Sequence, residues 1–153
     1  MRWLFVIIWI GLGSCMRPPS PSHARQEINL LLNNWHHAAA TADEKVFFGS
    51  MTKDAVYLGT DRTEHWTKAD FEKWSRPFFE RDSAWSFKPK DRKIYFSPNG
   101  KTAWFDELLD TWMGVCRGSG VLLYTKEGWK LAQYNLALTI DNNKMKDVIK
   151  VTE

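Results

Sequence analysis

Residues 103–142, AWFDELLDTWMGVCRGSGVLLYTKEGWKLAQYNLALTIDN, constrain the fold more than any other part of the chain. They read as the strands Lys101–Trp112, Arg117–Thr125 and Trp129–Ile140, each long and rich in aromatic and β-branched residues. Glu127-Gly128 supplies a hairpin turn. Ser97-Pro98-Asn99-Gly100 supplies another, joining an earlier strand at Trp85–Phe96. Four long strands in succession, separated by tight turns, pair as an antiparallel sheet, and its apolar face needs a cover. The preceding residues provide that cover. Ser20 or Ser22 can cap a helix running to about Thr41, with Ile28, Leu31, Leu32, Trp35 and Ala39 at the spacing of one buried face. Asp43 can cap a second, short helix through Met51 that buries Val46 and Phe47. Ala55–Gly59 reads as a strand, Thr60–Thr63 as a turn and Glu64–Trp66 as the return strand. Thr67-Lys68-Ala69-Asp70 opens a third helix with Phe71, Trp74 and Phe78 on one side. Pro77 should kink or end it after Arg76, because proline lacks an N–H and crowds the preceding turn. The order is therefore two helices, a hairpin, a helix and four strands, which is an α+β solution. Asn142–Glu153 is a polar fringe or a short amphipathic tail.

The amino-terminal residues read as a targeting segment. Arg2 gives a positive start, and Trp3–Ile10 is an unbroken apolar run too short to span a bilayer. Leu12-Gly13-Ser14-Cys15 has the form of a bacterial lipobox, in which Cys15 takes the lipid. Residues 1–15 are thus expected to be a lipoprotein signal peptide and 16–23 a Pro/Ser-rich spacer. A folded domain at 24–142 and a tail at 143–153 complete the chain. The expected location is the periplasmic side of the cell envelope, with membrane contact only through the anchor. Met16-Arg17 carries no acidic retention signal, which favours the outer membrane. Once the leader is removed Cys116 is the one remaining thiol, so no internal disulfide can form. With no His-based activating group in view, Cys116 reads as a half-buried strand residue rather than a nucleophile. The net charge of +3 contains no basic stripe, and nucleic acid is not an expected partner.

Several local patterns, in this order, resemble the SnoaL-like family of the nuclear transport factor 2-like superfamily. Asp54-Ala55-Val56-Tyr57-Leu58-Gly59, with Trp66 ahead of the third helix, is similar to that family's first hairpin. Ala103-Trp104-Phe105-Asp106-Glu107, Arg117–Leu122 and Gly128–Tyr134 are similar to its last three strands. The resemblance covers about Glu27–Asn142. It implies a cone-shaped, bent antiparallel sheet wrapped by three amino-terminal helices, a cystatin-like roll, with a pocket inside the cone. It also implies a homodimer through the outer sheet face. In the superfamily's ketosteroid isomerases a carboxylate base faces a Tyr and a protonated acid. Here Trp35, Gly59 and Gly120 fall at those positions, and none can move the proton. Gln133 or Asn135 stands where many relatives carry a His, and an amide does not shuttle protons.

Candidate chemistry follows from the strand faces. Asp106 and Glu107 point to opposite sides, so they cannot form a paired-carboxylate site. Asp106 shares a face with Trp104 and is expected inside if that Trp lines the cavity. An Asp106–Arg117 pair across the hairpin could anchor an anionic ligand or serve as a structural ion pair. Trp129, Leu131, Gln133 and Asn135 share a face by simple alternation. The nine Trp residues suggest a flat ligand stacked on Trp66, Trp74, Trp85 and Trp104, although they equally fill a small core. His36-His37 and His65 lack the spacing of a metal site, and no metal, nucleotide or other cofactor motif is readable. The resulting expectation is a non-catalytic module with a pocket of Tyr57, Trp66, Trp74, Trp104, Asp106, Arg117, Gln133 and Asn135. Its expected ligand is small and apolar or anionic. A second reading is a lyase- or hydrolase-type enzyme with Asp106 as base and Arg117 as stabiliser. A third is a structural dimer of the envelope.

Overall fold

The computed structural model describes residues 17–152. The lipobox and Cys15 lie outside the described residues. Helix α1 spans Pro21–Ala40, α2 Glu44–Gly49 and α3 Lys68–Phe79; strands β1 and β2 span Met51–Leu58 and His65–Thr67. The long strands are β3 Lys88–Phe96, β4 Thr102–Thr111, β5 Gly114–Thr125 and β6 Gly128–Leu138. A 3₁₀ turn at Asn142–Lys144 leads into α4, Met145–Thr152, which buries no residue. One six-stranded sheet, ordered β2-β1-β6-β5-β4-β3, curls around the helices. Its pairs are antiparallel except β1 with β6, which run parallel.

The caps form where the local chemistry predicts. Ser20 accepts from the His23 amide with Pro21 opening α1, so the spacer's last three residues, 21–23, are already helical. Asp43 accepts from the Val46 amide at 2.9 Å. Thr67 accepts from the Asp70 amide and donates back to the Asp70 carboxylate at 2.7 Å, closing α3 at its start. Pro77, by contrast, does not end α3. The helix continues to Phe79, because Phe79 is buried and Phe78 packs on Trp74 in that last turn. Burying such aromatics contributes about 2–3 kcal/mol each, comparable with the cost of the proline.

The core lies between the helices and the concave face of the sheet. Ile28, Leu32 and Trp35 of α1 and Phe47 of α2 meet Ala103, Phe105 and Leu109 of β4 and Trp129, Leu131, Tyr134 and Leu136 of β6. Trp35 stacks on Phe47 at 4.7 Å and meets Tyr134 edge-on at 4.6 Å. Gly118 and Gly120 of β5 lie under these rings. A Cβ on Gly118 would collide with the Tyr134 hydroxyl, and one on Gly120 with the Gln133 carbonyl and the Phe105 ring.

Two register shifts decide which side chains face inward. In β6 the pairing passes from Val121–Gln133 to Leu122–Leu131, so Ala132 is an extra residue. In β3 it passes from Lys90–Leu108 to Lys93–Asp106, which leaves Asp91 and Arg92 opposite Glu107 alone. Asp91 takes a positive φ of 48° at that bulge, and Arg92 is turned in toward α1. β5 begins at Gly114 rather than at Arg117, because Gly114 (φ 91°) closes a hairpin directly after Trp112-Met113.

Candidate functional site

The open end of the cone holds a cavity of about 180 Å³. Its floor is core aromatic: Tyr57 of β1 stacks on Phe71 of α3 at 4.0 Å, and Phe71 stacks on Trp74 at 5.9 Å. Trp66 of β2 stacks on Trp74 at 5.5 Å, while Trp85, Phe78 and Phe87 close the helix side. Two turns frame the mouth. One is the β1–β2 loop, where Gly59 donates to the Glu64 carbonyl at 3.0 Å and Glu64 donates to the Asp61 carbonyl at 3.0 Å. The Thr63 hydroxyl and amide both donate to Asp61 and hold its carboxyl below the usual carboxylate range. The Asp61 amide in turn donates to Glu64 Oε2 at 3.2 Å, fixing that carboxylate over Gly59 at the rim. The other turn is the β4–β5 hairpin, where Thr111 anchors the Met113 amide and the Gly114 carbonyl. Its tip carries Trp112, 82% exposed, and Met113, whose sulfur accepts from the Thr60 hydroxyl at 3.9 Å across the mouth.

Tyr57 is the polar group on the floor. Burial pushes its phenol well above the ordinary value, and the Glu64 carboxylate adds to the shift. It therefore stays a neutral hydrogen-bonding hydroxyl at any physiological pH.

A second cluster lies deeper, between α1 and β4. Glu107 is fully buried. Its Oε1 lies 2.6 Å from His36 Nε2, and its Oε2 accepts from Arg92 Nε at 2.7 Å. Arg92 Nη2 sits 2.6 Å from the same oxygen but off the line of a hydrogen bond, so it adds charge contact only. Nη1 donates to the Asn29 carbonyl, Asn29 Oδ1 and Asn33 Oδ1 at 2.9–3.2 Å. These groups are absorbed by one another and do not line the mouth cavity. Their chemistry is that of a buried charge cluster pinning α1 to the sheet, with Arg92 Nη2 held by charge alone.

The family model of the SnoaL-like domain matches residues 28–141. The chain belongs to the SnoaL-like family. Solved structures similar to this SnoaL-like protein share its fold at low identity. A domain of unknown function with a cystatin-like fold from Nostoc punctiforme superposes with a TM-score of 0.71 at 10% identity, covering 86% of each chain. A nuclear transport factor 2-like protein of unknown function from Pseudomonas putida gives 0.66 at 14%, covering 80% of this chain and 92% of its own. Another with a cystatin-like fold, from Novosphingobium aromaticivorans, gives 0.62 at 13%, covering 84% and 90%. At these identities the likeness establishes the fold alone. No curated protein matches the chain significantly.

In this SnoaL-like domain the residues singled out from sequence divide between the two faces of the sheet. Tyr57, Trp66 and Trp74 line the cavity together. Trp104, Asp106, Arg117, Gln133 and Asn135 do not. Trp104 stands on the convex face, stacked on Tyr95 at 6.0 Å, and pairs in register with Val121, which pairs with Gln133. Asp106, Ser119 and Asn135 form the next row. The Asp106–Arg117 pair does form, at 3.5 Å, but it is half exposed on that outer face. Strand parity puts each of them outside. Ala103, Phe105 and Leu109 claim the concave side, and Glu107 joins them because His36 and Arg92 neutralise it there. In β6 the extra residue Ala132 resets the alternation, so Tyr134 and Leu136 turn inward and the two amides outward. Sequence reasoning missed Glu64, Trp112 and Met113 as site residues. A signal existed for the last two: Trp-Met before Gly114 is an unusually apolar hairpin turn, where polar residues normally stand.

Proposed function

We propose that the protein is a small-ligand-binding module of the cell envelope, tethered through Cys15, whose site is the aromatic mouth of the cone. The observation that carries this reading is the cavity itself. It is open to solvent and floored by stacked rings, and its rim is held by two hydrogen-bonded turns that leave Glu64 and Trp112 facing the opening. Its volume is well under the roughly 300–1,000 Å³ of pockets for drug-sized compounds, so a headgroup or single ring fits and a steroid-like polycycle does not. An acid–base enzyme built on Asp106 and Arg117 is not proposed, since that pair stands on the far side of the sheet from the cavity. The convex face, with Tyr95, Trp104, Val115 and Leu123 exposed, is the proposed contact between two copies.

Native mass spectrometry of the protein freed of its anchor tests both parts. After exposure to envelope extract, wild type is expected to carry a stoichiometric small adduct that Trp112→Ala loses. The same spectra should show dimers that Trp104→Glu converts to monomers. A wild-type spectrum without any adduct would remove small-molecule binding as the protein's role.

A further inference from the structure

The mouth cavity combines two features that favour the same sign of charge. Its wall is aromatic, with Trp66, Trp74, Trp85 and Trp112 around the opening, and the face of each ring is the negative pole of its quadrupole. Its charged group is Glu64; among the described residues no Lys, Arg or His lines it. The Asp61 amide holds one oxygen of that carboxylate, and Glu64 forms no ion pair among the described residues. An anionic ligand would meet a carboxylate and the negative faces of the rings. A purely apolar ligand would cover Glu64 and strip it of water without replacing the lost interactions. A cation satisfies both.

We propose that the cavity binds a small organic cation of the methylated ammonium class, with Glu64 as counter-charge and the tryptophans as its cage. The inference rests on the reading of the cone mouth as a binding site and replaces the apolar or anionic ligand expected from sequence. Methylation follows from the lining. A primary ammonium brings three donors and a tight hydration shell, whereas the wall offers rings and only a few acceptors near the rim. A trimethylammonium group spreads its charge over methyl surfaces that pack on rings and need no acceptor. The volume of about 180 Å³ suits such a headgroup. Trp112 stacks on no other ring among the described residues, so its face remains for the ligand.

The test is titration calorimetry of the full chain with choline and with its neutral isostere, in which a tert-butyl group replaces the trimethylammonium. Choline is expected to bind at least about tenfold more tightly than the isostere. Glu64→Gln keeps the shape and an acceptor for the Asp61 amide, so it should narrow that preference from both sides, weakening choline and tightening the isostere, while leaving the melting temperature unchanged. Trp112→Ala should weaken choline about tenfold. Equal binding of choline and isostere overturns the cation assignment and leaves the cavity a binding site. Failure of both to bind overturns the assignment, and an adduct absent from the native spectra as well overturns the binding reading beneath it. Glycerophosphocholine binding as tightly as choline assigns the headgroup to a lipid; choline binding alone assigns it to a free ammonium compound.

Discussion

Replacing Glu107 by Leu should destabilise the fold severely, and replacing Arg92 as well should restore part of the loss. Glu107 is fully buried, and the side chains of Arg92 and His36 that it holds are only 8% and 5% exposed. Leu fills the space but leaves a guanidinium in the interior without its counter-charge. Breaking such a pair from one side costs about 3–5 kcal/mol, and the orphaned His36 nitrogen alone accounts for about 1–3 kcal/mol. Asn29 and Asn33 still accept from Arg92 Nη1 in the variant, which places the expected value near the lower end, about 3 kcal/mol. Urea unfolding followed by tryptophan fluorescence reads this directly. With a slope of about 1–3 kcal/mol per molar, the midpoint should fall by between 1 and 3 M, roughly. The decisive sample is Arg92→Leu/Glu107→Leu. Removing the stranded cation should return at least about 1 kcal/mol relative to Glu107→Leu alone, the opposite sign from two independent losses. A double variant less stable than the single one would refute the picture of a buried charge cluster.

Two further outcomes follow from the packing. Gly120→Ala should lower stability by about 1–3 kcal/mol in thermal melts, because its Cβ meets the Gln133 carbonyl and Phe105; Gly49→Ala, which meets nothing within 4 Å, serves as the matched control. Tyr57 and Tyr134 are both raised, chiefly by burial, with Glu64 adding for Tyr57 and Tyr57 itself for Tyr134. Both phenols hold their protons more tightly folded than unfolded. Their contribution is therefore intact below the ordinary tyrosine value of about 10 and is lost as the pH rises beyond it. Absorbance titration should show these two ionising only with loss of near-ultraviolet circular dichroism, and Tyr57→Phe should remove one of them. Titration of all four tyrosines with the fold intact would contradict the burial argument.

The fold was legible because its signals are local. Ser20, Asp43 and Thr67 cap helices where a reader of the sequence would place them, and Asn99-Gly100 and Glu127-Gly128 turn where they must. The faces of the strands were not legible, because a strand's parity is inherited from every residue before it. One extra residue, Ala132, reverses everything downstream, and nothing in LAQYN marks it. Glu107 was hidden differently. Its partners lie 71 and 15 residues away, and a carboxylate on an apolar face looks misplaced until they are seen. Alternation alone could not say whether Asp106 or Glu107 had found a partner inside.

The rim of the cone's mouth is built from parts that the rest of the molecule does not lean on. Glu64 sits on a loop between two short strand ends, and Trp112 on the tip of a hairpin, while the stacked core and the charge cluster lie deeper. Descendants of such a gene can exchange rim residues one at a time, reshaping the opening while inheriting an unchanged chassis. A scaffold so divided retains its shape long after sequence likeness has faded, and shape becomes a poor witness to what each lineage does.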